Sequence, residues 1–195
     1  MAIRKAERAG ARVLLSFEGP SGSGKTYTAL QVAFGLAGGD ANKVGFLDTE
    51  NRRGSLYADI LKNKDGVVQQ FWIDDLYAPF TPQRYIQKIQ EFQAAGVEVL
   101  VIDSASHEWN GNGGVLAEVE KIPKKIHAWR KWKPEHRAFV DALLQCDMHV
   151  IVCLRSTNKV DWSDPAKPKA LGLMPIQQEE FIFETTVSIE VHSGG

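Results

Sequence analysis

Residues 19 to 26 read Gly19-Pro20-Ser21-Gly22-Ser23-Gly24-Lys25-Thr26, a complete G-x-x-x-x-G-K-[ST] pattern. Glycines at this density let successive backbone N–H groups converge on an anion without Cβ clashes. The lysine that follows supplies a point charge for β- and γ-phosphate oxygens. The threonine hydroxyl is a hard oxygen donor of the kind Mg2+ takes, since that ion keeps several waters and few protein ligands. The chemistry expected of these eight residues is the binding of a nucleoside triphosphate with Mg2+. A glycine-rich turn beside an ordinary surface lysine has the same letters, so context must separate the two.

The context is strand, loop, helix. Val13-Leu14-Leu15-Ser16-Phe17 is a short, mostly apolar run leading into the glycines, and Thr28 to Leu36 carries apolar residues at helical spacing. A free helix N-terminus then adds its positive dipole end to the loop amides. A second site residue comes from the run Val97-Glu98-Val99-Leu100-Val101-Ile102-Asp103. A carboxylate at the tip of a buried strand beside a phosphate loop is placed to hold Mg2+, usually through water. The metal set expected is therefore Thr26 and Asp103; a turn-forming aspartate is the plainer reading of the latter.

Hydrolysis also requires a carboxylate that orients and polarises water beyond the γ-phosphate. The residue directly after Asp103 is Ser104, so this group must come from elsewhere, and Glu50 and Glu108 compete. Glu50 closes Val44-Gly45-Phe46-Leu47-Asp48-Thr49-Glu50, the end of a second apolar run. It is preferred because a strand tip is a firmer support than the glycine-containing loop near Glu108.

The remaining elements must hold these tips together. A short helix is expected through Leu56, Tyr57, Ile60 and Leu61, and a strand over Val67 to Ile73 with Val67, Gln69, Phe71 and Ile73 on one face. Thr81-Pro82 starts a helix with the stripe Tyr85, Ile86, Ile89 and Phe92, ended by Gly96. Pro134 opens another with Phe139, Val140, Leu143 and Leu144. His149 to Leu154 is a buried strand, and the alternation from Phe181 to Val191 predicts a last strand with one buried face. The segments 111–114 and 158–175 lack periodicity. Alternating strands and helices give an α/β fold, a mostly parallel sheet flanked by helices on both faces. With 195 residues and 44% hydrophobic residues, the expectation is an N-terminal extension over 1–12 and a single domain over 13–195.

These residues together resemble the RecA-like core of P-loop ATPases, and more closely the small phage ATP-binding proteins of the recombinase and single-strand annealing type. Leu47-Asp48-Thr49-Glu50 looks like that family's second strand with its catalytic glutamate. Val101-Ile102-Asp103-Ser104 looks like its metal strand, and Ser104 to Trp109 with the following glycines resembles a segment of the phage proteins. Ile151-Val152-Cys153-Leu154-Arg155 resembles the sensor strand, with Arg155 standing near the place where the family has glutamine. The resemblance implies an ATPase with Lys25, Glu50 and Arg155 as catalytic residues, DNA-binding loops at 109–114 and 158–175, DNA recombination or annealing as the role, and self-association. Two cysteines without a disulfide spacing suit a reducing cytosol, so the expected location is the cytoplasm, that of the host if the protein is phage-encoded.

Net charge is −1, so any nucleic-acid surface must be local. Lys121, Lys124, Lys125, Arg130, Lys131 and Lys133 fall in thirteen residues with no acid and with Trp129 and Trp132 between them. Such a run can neutralise phosphates while indoles stack on bases of single-stranded DNA. A helix that buries its tryptophans and solvates its charges has the same composition. Arg4, Lys5 and Arg8 read as a solvated end. Cys146 and Cys153 match no disulfide or zinc spacing. No apolar stretch approaches the ~18 residues of a membrane helix, so no membrane partner is expected. Two other functions fit a phosphate loop: a small-molecule kinase, disfavoured because 158–175 contains no arginine to close over phosphates, and a nucleotide-dependent assembly protein with little turnover.

Overall fold

The computed structural model describes residues 11–192 except 162, 165 and 166, and leaves out the side chain of residue 125. Most of the expected 1–12 extension, with Arg4, Lys5 and Arg8, and the end at Ser193–Gly195 lie outside the described residues. Among the described residues the strands are β1 (Leu14–Gly19), β2 (Val44–Asp48), β3 (Trp72–Asp75), β4 (Val99–Asp103), β5 (His149–Asp161), β6 (Lys169–Pro175) and β7 (Val187–Glu190). The α-helices among them are α1 (Lys25–Leu36), α2 (Pro82–Ala94), α3 (Ser106–Asn110), α4 (Val115–Glu120) and α5 (Lys125–Gln145). The sheet runs in the order β3-β2-β4-β5-β1-β7, every neighbouring pair parallel, and β6 folds back antiparallel on the outer half of β5.

Strand periodicity divides the core in two. Val99 and Val101 of β4 and Ile151 and Cys153 of β5 pack with Ala29, Leu30 and Ala33 of α1. Their alternating neighbours Leu100, Ile102, Val150, Val152 and Leu154 pack with Tyr85 and Ile89 of α2 and Phe139 and Leu143 of α5. Side chains two apart share a face, so strands covered on both sides read as continuous apolar runs. This is an α/β fold of the expected kind.

Five expectations are corrected. The third strand is Trp72–Asp75, not Val67–Ile73; Val67 and Val68 are exposed, and Val68 forms only an isolated bridge with Lys62. As the sheet's edge, β3 has little burial to enforce alternation. Pro134 lies inside α5, nine residues after its start at Lys125; it does not open the helix. The region from Phe181 to Val191 is a 3-10 turn, Glu179–Glu184, followed by the exposed four-residue β7, with Phe181 buried and Phe183 turned to solvent. The segment 158–175 is not a loop: β5 continues to Asp161 and pairs with β6 as a hairpin. The short element after β2 is a 3-10 turn, Arg53–Tyr57. No helix among the described residues is long and apolar enough to cross a membrane.

Candidate functional site

Parallel register brings the strand tips into one row: Gly19 pairs with Arg155, Asp103 with Cys153, and Asp48 with Asp103. Ligands of open parallel sheets bind outside these carboxyl ends. A cavity of about 240 Å3 lies there, lined by Ser21, Gly22, Gly24, Lys25, Thr26, Glu50, Arg53, Leu56, Tyr57, Asp103 and Arg155. All three expected catalytic residues and both expected metal residues thus face one space. Glycine is required where the loop turns: Gly22 has φ +81 and Gly24 φ +94, a left-handed region costly for residues with a Cβ. A Cβ on Gly19 would strike the carbonyl oxygen of Val191, which follows β7. Pro20 and Ser23 complete the loop; Ser23 N donates to Pro20 O at 3.3 Å, while buried Ser23 Oγ has no partner. Gly24 caps α1 without a side-chain hydrogen bond, so no side chain competes for the first-turn amides.

Each phosphate- or metal-seeking group has an internal partner. Lys25 Nζ donates to Gly19 O at 2.9 Å and Pro20 O at 2.7 Å, and burial lowers its pKa. Thr26 Oγ1 donates to Asp103 Oδ2 at 2.5 Å. Burial pushes the Asp103 carboxyl up to about 6, the Thr26 bond pulling the other way. Arg155 Nε donates to Glu50 Oε1 at 2.7 Å and its Nη2 to Oε2, a bidentate pair. Arg53 stands 3.7 Å from the same carboxylate.

Glu50 is aimed by a residue the sequence left without a role. Asp48, almost fully buried, accepts Glu50 N and Gly54 N, both at 2.6 Å, and so shapes the turn from β2 in which Asn51 and Arg52 take positive φ. An aspartate two residues before a turn amide is an Asx signal, readable in principle from Asp48-Thr49-Glu50. Thr49 then ties this turn to the one after β4: Ser104 N donates to Thr49 Oγ1 at 2.7 Å, and Thr49 N donates to Asp103 O at 2.8 Å.

Glu108, the other candidate base, is elsewhere. It is fully buried and absent from the cavity wall, with His136 Nδ1 at 3.1 Å and Gln177 Nε2 at 3.4 Å from its oxygens. Burial raises its pKa, the bond with His136 opposing. Arg53, Leu56 and Tyr57 also line the phosphate cavity, and no spacing rule pointed to them.

The residues present fit magnesium and a triphosphate. The paired oxygens of Thr26 and Asp103 are hard donors, Lys25 is a cation among carbonyls it can leave, and Ser23 Oγ is a buried polar atom without a partner. A search of the curated proteins gives no match. The model of the AAA domain family matches residues 10–186, nearly the whole chain and the entire row of strand tips from Gly19 to Arg155. With its phosphate loop, metal-type carboxylate and parallel sheet in place, this chain belongs to the AAA domain family of nucleotide-binding ATPases.

Proposed function

We propose that the chain is a Mg2+-dependent ATPase with a RecA-like core that binds single-stranded DNA, assembles side by side with further copies, and serves recombination or strand annealing of the phage type in the cytoplasm. The observation that carries the reading is the Glu50–Arg155 pair set in the same cavity as Lys25, Thr26 and Asp103. Lys25 exchanges the Gly19 and Pro20 carbonyls for β- and γ-phosphate oxygens. Thr26 and Asp103 are the residues that hold the metal. Mg2+, when bound, neutralises charge on those phosphates. Arg155 is drawn from Glu50 toward the γ-phosphate, and Glu50, held by Asp48, then orients a water and takes its proton.

DNA binding draws support from α5, which carries Arg130, Lys131 and Lys133 around half-buried Trp129 and Trp132 and is preceded by Lys124, and from the β5–β6 hairpin with Lys159, Lys167 and Lys169. Lys131 Nζ lies 4.6 Å from the Trp132 ring centre, covering it with charge. A kinase needs an arginine-bearing cover over the phosphates, and the segment 158–175 has none.

The test is ATP hydrolysis with and without single-stranded DNA at low and moderate salt. Stimulation that fades as salt rises is the expected result. Hydrolysis indifferent to DNA, with no DNA bound at either salt, overturns the DNA reading; absent turnover with intact nucleotide binding favours an assembly protein.

A further inference from the structure

A larger cavity, of about 680 Å3, shares no lining residue with the phosphate site. That volume is within the ~300–1,000 Å3 of small-molecule pockets. Its aromatic wall is Trp109 of α3 and Trp129 of α5, ring centres 5.9 Å apart and inclined 31°, with Phe181 and Val140 also lining it. At that separation the two indoles touch, and no third ring fits between them. The face open to a planar ligand is therefore the outer side of this wall, not a slot between its rings.

The polar side is as distinctive. His136 lines the cavity and is 7% exposed; its Nδ1 bonds buried Glu108 at 3.1 Å, and its Nε2 is buried with no partner. Buried polar atoms in folded proteins are as a rule hydrogen-bonded, so Nε2, like Ser23 Oγ in the phosphate loop, marks a place where a hydrogen bond is missing. The charged rim is largely self-neutralised: Arg137 pairs with Glu184 at 2.7 Å and with Asp141 at 2.9 Å, and Lys159 lies 3.6 Å from Glu179. Gln178 Nε2 donates to Glu180 at 3.1 Å. A rim so paired does not call for an anion. Two indoles, a lone ring nitrogen and amide and carboxylate groups suit an uncharged planar ring with a hydrogen-bonding edge.

We propose that this cavity is a second ligand site and that it takes a nucleobase, stacked on the Trp109–Trp129 wall with its polar edge toward His136 Nε2. Trp129, Lys133, His136 or Arg137, and Val140 recur at helical spacing, so one stripe of α5 supplies wall, rim and polar contact. Exposed Arg130 flanks that stripe and exposed Lys133 belongs to it, and these two cations are placed to neutralise the phosphates of a strand entering the cavity. For a base carried on a strand the inference rests on the DNA reading above; for a free nucleoside it stands alone.

The experiment saturates the phosphate site with Mg2+ and a non-hydrolysable triphosphate, then follows tryptophan emission and strand anisotropy. The ligands are thymidine or adenosine, a short oligonucleotide, and an abasic strand of equal length. The expected result is quenching by nucleoside and base-bearing strand, and about 5–150-fold weaker binding of the abasic strand for each base stacked. In Trp129→Phe, which keeps an aromatic packing partner, most of the quench is lost. Equal affinity for both strands with no quench by nucleoside overturns the cavity proposal and leaves DNA binding standing. Quench by nucleoside with no strand bound keeps the cavity and overturns the DNA reading. A quench undiminished in correctly folded Trp129→Phe and Trp109→Phe places the base at another tryptophan and overturns the proposal.

Discussion

Lys25 has two duties that cannot be met together. Its Nζ holds the Gly19 and Pro20 carbonyls, and the same donors must turn to phosphate oxygens when a triphosphate enters. Lys25→Ala therefore removes a charge-assisted contact and an internal clasp of the loop; ATP affinity should fall about 10–100-fold, measured by calorimetry. Glu50→Gln keeps shape and position but cannot take a proton. It should bind ATP within a few fold of the parent while hydrolysis drops about 10²–10⁴-fold in single-turnover measurements. A fully active Glu50→Gln protein would move the base role to another group in the cavity. Glu108 is a poor heir, being fully buried against His136. At this scale the sequence exposed what a local pattern can hold: the glycine loop, Lys25, Thr26, and a carboxylate at each of two strand tips. It could not show that Arg155 and Glu50, 105 residues apart, form a bidentate pair, or that Glu108 faces inward, because partners chosen by packing leave no spacing rule.

Elements were legible in proportion to their burial. β2, β4 and the inner half of β5 lie in the middle of the sheet with both faces covered, and each appeared as an apolar run; in β5 that run stops at Leu154, where burial stops, while the strand goes on to Asp161. β3 and β7 sit at the two edges, where Trp72, Ile73, Val187 and Ile189 remain exposed, and alternation there reflects no buried face. Pro134 misled because proline favours a helix start, whereas α5 accommodates it mid-helix, leaving its neighbours exposed and the apolar stripe Phe139, Val140, Leu143 intact below. That stripe fixes α5 to the sheet: Phe139 is fully buried, 5.4 Å edge-on from Tyr85 of α2 and 6.4 Å stacked on Phe181. Phe139→Ala should cost about 3–5 kcal/mol in urea denaturation. Gly45→Ala should also destabilise, by about 1–3 kcal/mol, since a Cβ at that point of β2 meets Phe92 at 2.7 Å and the core has no slack to absorb it. Both losses should leave the nucleotide affinity of the remaining folded protein close to normal, because neither residue lines the phosphate cavity.

Across the whole molecule the site is a seam. Its residues come from the ends of β1, β2 and β4, the middle of β5 and the start of α1, so a bound nucleotide joins segments 19–26, 48–57, 103 and 155 through one ligand. Those segments are already linked to one another by the strand ladders, by Thr26 on Asp103, by Arg155 on Glu50 and by Thr49 on Asp103. Anything that binds the folded chain and not the unfolded one stabilises it by mass action, about 2.7 kcal/mol at a hundred times the dissociation constant. For a chain of this length that corresponds to a rise in melting temperature of about 5–10 °C. Mg2+ with ATP should produce such a shift. Chelation of the metal should remove much of it, because Thr26 and Asp103 then return to each other and the phosphates lose their counter-charge. Lys25→Ala should show little shift with or without metal, and Glu50→Gln should show all of it. A shift by ATP that is as large in chelator as in Mg2+ would mean that the oxygens of Thr26 and Asp103 do not serve the metal, and that the loop alone carries the binding.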